Sequence, residues 1–182
     1  STVKESIEDN LINLTFDIDE SEKFYVEKIN ILGNNITREE VIRNNLIVDE
    51  GDAFNELLQT RTLNNLRSLN FFSKVESEIL DIENKNKKII NITVEEKPTG
   101  EIMAGAGVGT GGGTFAFGVS ENNFLGRGIE FSSDISVGAE NIKGIISMNN
   151  PNYKGSNKSL NASLESTITD RLKNFGYKSN KT

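Results

Sequence analysis

The sequence predicts an α+β module of order β-α-α-β-β, followed by antiparallel strands with no helix among them. Three observations carry this prediction. Alternating and helical periodicities succeed one another through about residue 98, whereas only period-two alternation follows. Glycine divides the same way: Gly33 and Gly51 are the only two before Gly100, and 14 of the 16 lie from Gly100 onward. Charge divides there too, with 12 basic and 20 acidic side chains in 1–100 against 8 and 7 in 101–182. The boundary falls at Glu95-Glu96-Lys97-Pro98-Thr99-Gly100, a charged stretch closed by Pro and Gly.

The first module begins with Phe24–Leu32, an alternating strand that ends on the turn Gly33-Asn34-Asn35. Thr37-Arg38-Glu39-Glu40 then reads as a capping box, with Ile36 and Val41 placed as a hydrophobic staple. A second helix runs from Asn55 to about Leu69, with Leu58, Thr62, Leu66 and Leu69 on one face. Phe71–Leu80 and Lys88–Glu96 close the unit as two strands, joined by the polar turn Glu83-Asn84-Lys85-Asn86. The segment Leu11–Asp17 repeats the pattern of Ile89–Glu95 at a shift of 78 positions (90 − 12). Residues 10–19 therefore read as the last strand of a preceding copy, in a chain cut from an array. The expected division is 1–22, the end of one module; 23–98, a complete one; and 99–182, the strand region.

That region contains Gly107-Val108-Gly109-Thr110-Gly111-Gly112, which fits the G-x-G-x-x-G pattern of a dinucleotide loop. A phosphate loop needs a helix to start at its glycines, because the helix N-terminus binds the pyrophosphate. Here Thr114–Ser120 continues with period two, so the glycines belong to a strand and hairpin. Strands are expected near 101–109, 114–123, 128–138, 143–151 and 158–169, with turns at Thr110–Gly113, Leu125–Gly126, Ala139–Asn141 and Asn152–Ser156. Each carries an apolar row, such as Ile102, Ala104, Ala106 and Val108, against a polar or tiny one, such as Met103, Gly105, Gly107 and Gly109. This is the pattern of a transmembrane β-barrel wall; a soluble sandwich with its apolar face inward shows it equally. Five strands are too few to close a membrane barrel, so in that reading the chain continues beyond Thr182.

Composition removes several chemistries. The 182 residues contain no Cys and no His, which excludes disulfides, His-centred triads and His/Cys zinc sites. A net charge of −7 argues against a sequence-independent grip on nucleic acid. The pairs Glu39/Glu40 and Glu95/Glu96 are adjacent in sequence, so their side chains diverge instead of converging on a substrate. No catalytic, cofactor or metal site is expected, and no enzyme activity.

Several motifs carry a family resemblance across essentially the whole chain. ILGNN at a strand end, the EGD turn, NFF leading into a strand and VEEKPTGE at the boundary resemble the last POTRA domain of the Omp85 superfamily. GEIMAGAGVGTGGGTFAFGVSENNFLGRG and MNNPNY resemble the opening strands of that superfamily's outer-membrane barrel. The glycine run Gly111–Gly113 departs from the family's usual polar turn.

The resemblance implies an assembly subunit of a Gram-negative outer membrane, without cofactor, its POTRA domain in the periplasm. Nascent outer-membrane proteins, accessory lipoproteins and the lipid bilayer are its implied partners. The implied seam strand comprises Ile102, Met103, Ala104, Gly105, Ala106, Gly107, Val108 and Gly109, opening to template an incoming client strand. Position within the family gives Arg43 and Glu50 as lipoprotein contacts, and Val75, Ser77 and Ile79 as a partner-binding edge. A secretion or translocation pore of the same superfamily is the alternative, and a soluble periplasmic binding module a second.

Overall fold

A computed structural model describes residues 2–8, 11–17, 22–83, 85–109, 112–156, 158–172 and 176–182. Among them lie three separate sheets of two, three and six strands.

The three-stranded sheet and two helices form the α+β module. Its order along the chain is β3 (Tyr25–Leu32), α1 (Glu39–Arg43), α2 (Glu56–Ser68), β4 (Phe72–Asp81) and β5 (Lys87–Glu96). β5 lies in the middle, parallel to β3 and antiparallel to β4, so β3 and β4 are both edges. A register shift between Val26 and Lys28 breaks the alternation of β3. It lets Val26 and Ile29, three residues apart, both reach the core. They pack with Ile90, Ile92 and Val94 of β5, Val75 of β4, and Ile42 and Leu66 of the helices. The predicted face of α2 is the buried one: Thr62 and Leu66 are enclosed, and Leu58 and Leu69 pack against the cluster. Asn55 caps this helix, its side chain accepting from the amides of Leu57 and Leu58.

The expected capping box at Thr37 does not form. The N-cap of α1 is Arg38, without a side-chain cap, and Ile36 is 69% exposed instead of stapled to Val41. Thr37 is engaged elsewhere: its amide donates to Glu96 Oε1 at 2.6 Å and its hydroxyl accepts from Asn123 Nδ2 at 2.8 Å. Tertiary partners have taken the groups that a local cap would use.

Ahead of this module, β1 (Thr2–Glu8) and β2 (Leu11–Asp17) form an antiparallel hairpin. Its pairs Val3↔Phe16 and Ile7↔Ile12 correspond to Val75↔Val94 and Ile79↔Ile90. The shift is 72 on the first strand (75 − 3) and 78 on the second (94 − 16), so the second hairpin holds six more residues between the matched pairs. Ile12, Leu14 and Phe16 are exposed where their counterparts Ile90, Ile92 and Val94 are buried beneath helices.

The third sheet is a six-stranded antiparallel meander: β6 (Gly100–Gly109), β7 (Gly112–Glu121), β8 (Glu130–Gly138), β9 (Asn141–Asn150), β10 (Leu160–Arg171) and β11 (Tyr177–Lys181). β11 adds one strand to the five expected. The sheet is open, with β6 at one edge and β11 at the other. Of the expected first turn, residues 110 and 111 lie outside the described residues. The other three turns stand where alternation stops, and two of them share one backbone form. Phe124–Gly126 and Tyr153–Gly155 are 3₁₀ turns with Leu125 (φ 56°) and Lys154 (φ 55°) left-handed at the same position. The amides of Phe124 and Tyr153 donate to Ile129 O and Lys158 O, both at 2.8 Å. Residues 97–99 alone connect β5 to β6.

Candidate functional site

Register settles which side chains share each face of the large sheet, because directly paired residues point the same way. Ile102 pairs with Val119, Ala104 with Phe117 and Ala106 with Phe115; Phe117 pairs with Ile135 and Phe115 with Val137. Val137 continues to Ile142 and Ile168, and Phe131 to Met148 and Ala162. One face is thus apolar across five strands, and most of its large side chains are exposed. The opposite face carries Gly105, Ala116, Ser136, Lys143 and Thr167 along one row, and Ser120, Ser132, Ser147 and Ser163 along another. Ser132 and Ser147 hydrogen-bond there at 2.7 Å. An exposed apolar face of this extent is not a normal water-facing surface. Among the described residues no helix is long and apolar enough to cross a membrane, which leaves strand crossing open.

All eight residues of the expected seam strand lie on β6, an edge that is hydrogen-bonded to β7 alone. Val108 is 94% exposed near its far end. A Cβ built at Gly105, Gly107 or Gly109 meets nothing within 4 Å, so packing does not require glycine at these positions. Their physical effect is on the strand itself, since each glycine weakens it by about 0.5–1 kcal/mol.

In the α+β module Arg43 and Glu50 come together, their Nη1 and Oε1 3.7 Å apart. Both also hold β3: Glu50 Oε1 accepts from Ile29 N at 3.0 Å, and Arg43 Nη2 donates to Ile29 O at 3.0 Å. Arg43 further pairs with Glu39 at 2.7 Å. The expected partner edge β4 is an edge strand, but its three residues differ. Val75 is buried and its carbonyl accepts from Arg67 Nη2 at 3.0 Å, Ser77 is half-buried, and Ile79 is exposed. Of the three, only Ile79 presents an exposed side chain.

A joint between module and large sheet escaped the sequence reading. The Glu96 carboxylate accepts from three successive amides, Asn35 (2.9 Å), Ile36 (2.8 Å) and Thr37 (2.6 Å). Burial raises the pKa of Glu96, but the hydrogen bonds from Thr37, Ile36 and Asn35 outweigh it and hold the group below its ordinary value. Arg38 N donates to Gly126 O at 2.8 Å, and Asn123 Oδ1 accepts from Gly128 N at 2.7 Å. Glu121 accepts from the Asn123 amide at 2.9 Å and from the Thr99 hydroxyl. The only sequence signals for this joint were the motifs VEEKPTGE and ENNFLGRG, which contain Glu96 and Asn123. No group of His, Cys, Asp or Glu fit to hold a metal occurs among the described residues.

Comparison with known proteins agrees with this layout. Residues 24–97 match the POTRA family model, described as a surface antigen variable number repeat. The chain is 27% identical over 155 residues to the outer membrane protein assembly factor BamA of Nitratidesulfovibrio vulgaris, covering 83% of this chain and 19% of that protein. It is 32% identical over 116 residues to the BamA of Neorickettsia risticii, covering 63% and 16%. Among solved structures, BamA from Haemophilus ducreyi lacking POTRA domains 1–3 superposes with a TM-score of 0.76 at 22% identity, over 92% of this chain and 32% of that one. The chain thus spans about a fifth of the length of the curated relatives it matches.

Proposed function

Residues 24–97 are a POTRA domain in a chain homologous to the outer-membrane assembly factor BamA, and on that premise we propose that it helps fold and insert β-barrel proteins by templating their strands at β6. The observation that carries this reading is the state of β6 itself. Among the described residues it is an edge bonded to β7 alone, its Gly105, Gly107 and Gly109 have no neighbour within 4 Å of an added Cβ, and it borders a sheet with one apolar face. A client strand adding to such an edge gains backbone hydrogen bonds without needing a particular sequence, as in other cases of β-augmentation. Weak pairing at this edge lowers the cost of exchanging one neighbour for another.

The remaining assignments follow from the same premise. The apolar face meets lipid of a Gram-negative outer membrane, and the POTRA domain stands in the periplasm. Nascent outer-membrane proteins are the clients, accessory lipoproteins engage the POTRA surface around Arg43 and Glu50, and no step is enzymatic. The N-terminal hairpin is the closing hairpin of a preceding POTRA domain, and its exposed Ile12, Leu14 and Phe16 are the face that this domain's helices cover.

Disulfide capture in the complete parent protein tests the templating. Single cysteines at Met103, Ala104, Gly105 and Ala106 are each paired with one in the terminal strand of a stalled client. Adducts in a single register are expected. A folded barrel that captures no client at any position would instead point to a secretion pore.

A further inference from the structure

The joint leaves a second feature on its outer side. Ile36 lies beside the turn Phe124–Gly126: the next residue but one, Arg38, bonds Gly126 O, and a Cβ at Gly126 would stand 1.9 Å from Ile36 O. Ile36 and Leu125 are 69% and 68% exposed. Together with Pro98, Val119, Phe124 and Phe131 they line one groove. Val119 and Phe131 belong to the apolar face of the large sheet, by their pairing with Ile102 and Met148. Phe124 stacks on Phe131 with centroids 5.2 Å apart. The groove is therefore the lower end of that face, carried onto the POTRA domain through one exposed residue.

Two further observations bear on what fills it. Most polar side chains in its wall are already engaged: Glu96 with three amides, Glu121 with the Asn123 amide and Thr99, Asn123 with Thr37 and Gly128, and Lys97 with Asn70. What remains is hydrocarbon surface with little polar demand. The turn does not require leucine, because the equivalent left-handed position of the second turn holds Lys154. That second turn places Tyr153 where the first has Phe124, with Lys154 Nζ 5.3 Å from the Tyr153 ring. Aromatic rings with a neighbouring lysine at strand ends mark the level where headgroups begin.

We propose that Ile36 and Leu125 form a membrane foot, inserted among the acyl chains of the periplasmic leaflet and holding the POTRA domain against the bilayer surface. The inference rests on the lipid-facing reading of the apolar sheet face. At this level an apolar side chain lies about 5–10 Å into the headgroup and acyl boundary. The foot would add a membrane contact to the protein contacts of the joint in setting the angle of the POTRA domain to the bilayer.

The test uses the complete parent protein, made cysteine-free, in vesicles of phosphatidylethanolamine and phosphatidylglycerol. Ile36→Cys and Leu125→Cys are labelled with an environment-sensitive fluorophore, with Phe117→Cys as a mid-wall reference and Arg61→Cys as an aqueous one. The expected result is blue-shifted emission at 36 and 125, quenched by a lipid carrying its nitroxide near the headgroup and untouched by a water-soluble quencher. Quenching from water at both positions, with Phe117→Cys in lipid, would overturn the foot and leave the wall reading standing. Protection from both quenchers would overturn it in favour of a covering protein. An aqueous Phe117→Cys would remove the lipid-facing reading and the foot with it.

Discussion

Asn123 Nδ2 donates to the hydroxyl of Thr37 at 2.8 Å, joining the large sheet to the POTRA domain across 86 residues of chain. Both residues are buried, Thr37 at 2% exposure. Through its Oδ1 the same amide accepts from Gly128 N, so Asn123 orders the turn and docks it at once. Asn123→Ala leaves Gly128 N and Thr37 short of partners in an enclosed site, at a cost of about 1–3 kcal/mol. Hydrogen exchange should quicken at residues 35–41 and 126–128 in the intact protein while the core strand β5 keeps its protection. Unchanged exchange at both segments would show that the joint does not depend on this bond.

A glycine pair separates backbone conformation from contact. Gly126 has φ +69° and a Cβ there would lie 1.9 Å from Ile36 O; Gly51 has φ +96° with nothing within 4 Å. Gly51→Ala should therefore incur only the left-handed penalty of about 1–2 kcal/mol. Gly126→Ala adds a collision between two backbones, so it should lower the thermal midpoint further and open the joint to protease. Equal midpoints for the two variants would contradict the close approach.

Glu96 makes the joint acid-sensitive. Its folded pKa is lowered, so the carboxylate contributes stability that is fully present above the unfolded value, about 4.3, and is lost as pH falls through the folded value. Glu96→Gln cannot titrate. The midpoint gap between wild type and Glu96→Gln should be open near neutral pH and close as pH drops below about 4. A gap that stays constant over that range would assign the loss to shape instead of charge.

Glu50 serves Ile29 N and faces Arg43, so structural and recognition roles must be separated. Glu50→Gln retains an acceptor for the Ile29 amide and removes the charge, whereas Glu50→Ala removes both. Only the alanine variant should lose about 1 kcal/mol of domain stability. If the charge recruits a lipoprotein, co-purification should fall in both variants; retention in Glu50→Gln would leave Glu50 a structural residue only.

Gly105→Val and Gly107→Val test the weak edge directly, since a Cβ at either position meets nothing within 4 Å. Each should firm β6 by about 0.5–1 kcal/mol and slow client assembly in proteoliposomes without preventing the barrel from folding. An unchanged assembly rate in the double variant would remove seam weakness from the mechanism.

What was legible in the sequence was what period and punctuation encode. The strands of the large sheet and the face of α2 follow from local periodicity, because burial on one face repeats along each element. β11 was not legible: Tyr177–Lys181 alternates no apolar row. Thr37 was misread because a capping box and a docking residue present the same letters, and only the positions of Glu96 and Asn123 decide between them. The edge residues Val75, Ser77 and Ile79 follow from position within the family, and only the structure shows that Val75 lies in the core while Ile79 is exposed. The edge glycines of β6 were legible as a strand, and their freedom from any neighbour became visible only in three dimensions.

Residues 97–99 are all that separates the last POTRA strand from the edge strand of the large sheet. A link this short has almost no slack, so a rotation of the POTRA domain reaches β6 directly along the chain. The hinge is further stiffened on its flank by the Thr37–Asn123 clasp. A rotation of the POTRA domain thus acts at once on β6 through the chain and on the turn after β7 through that clasp.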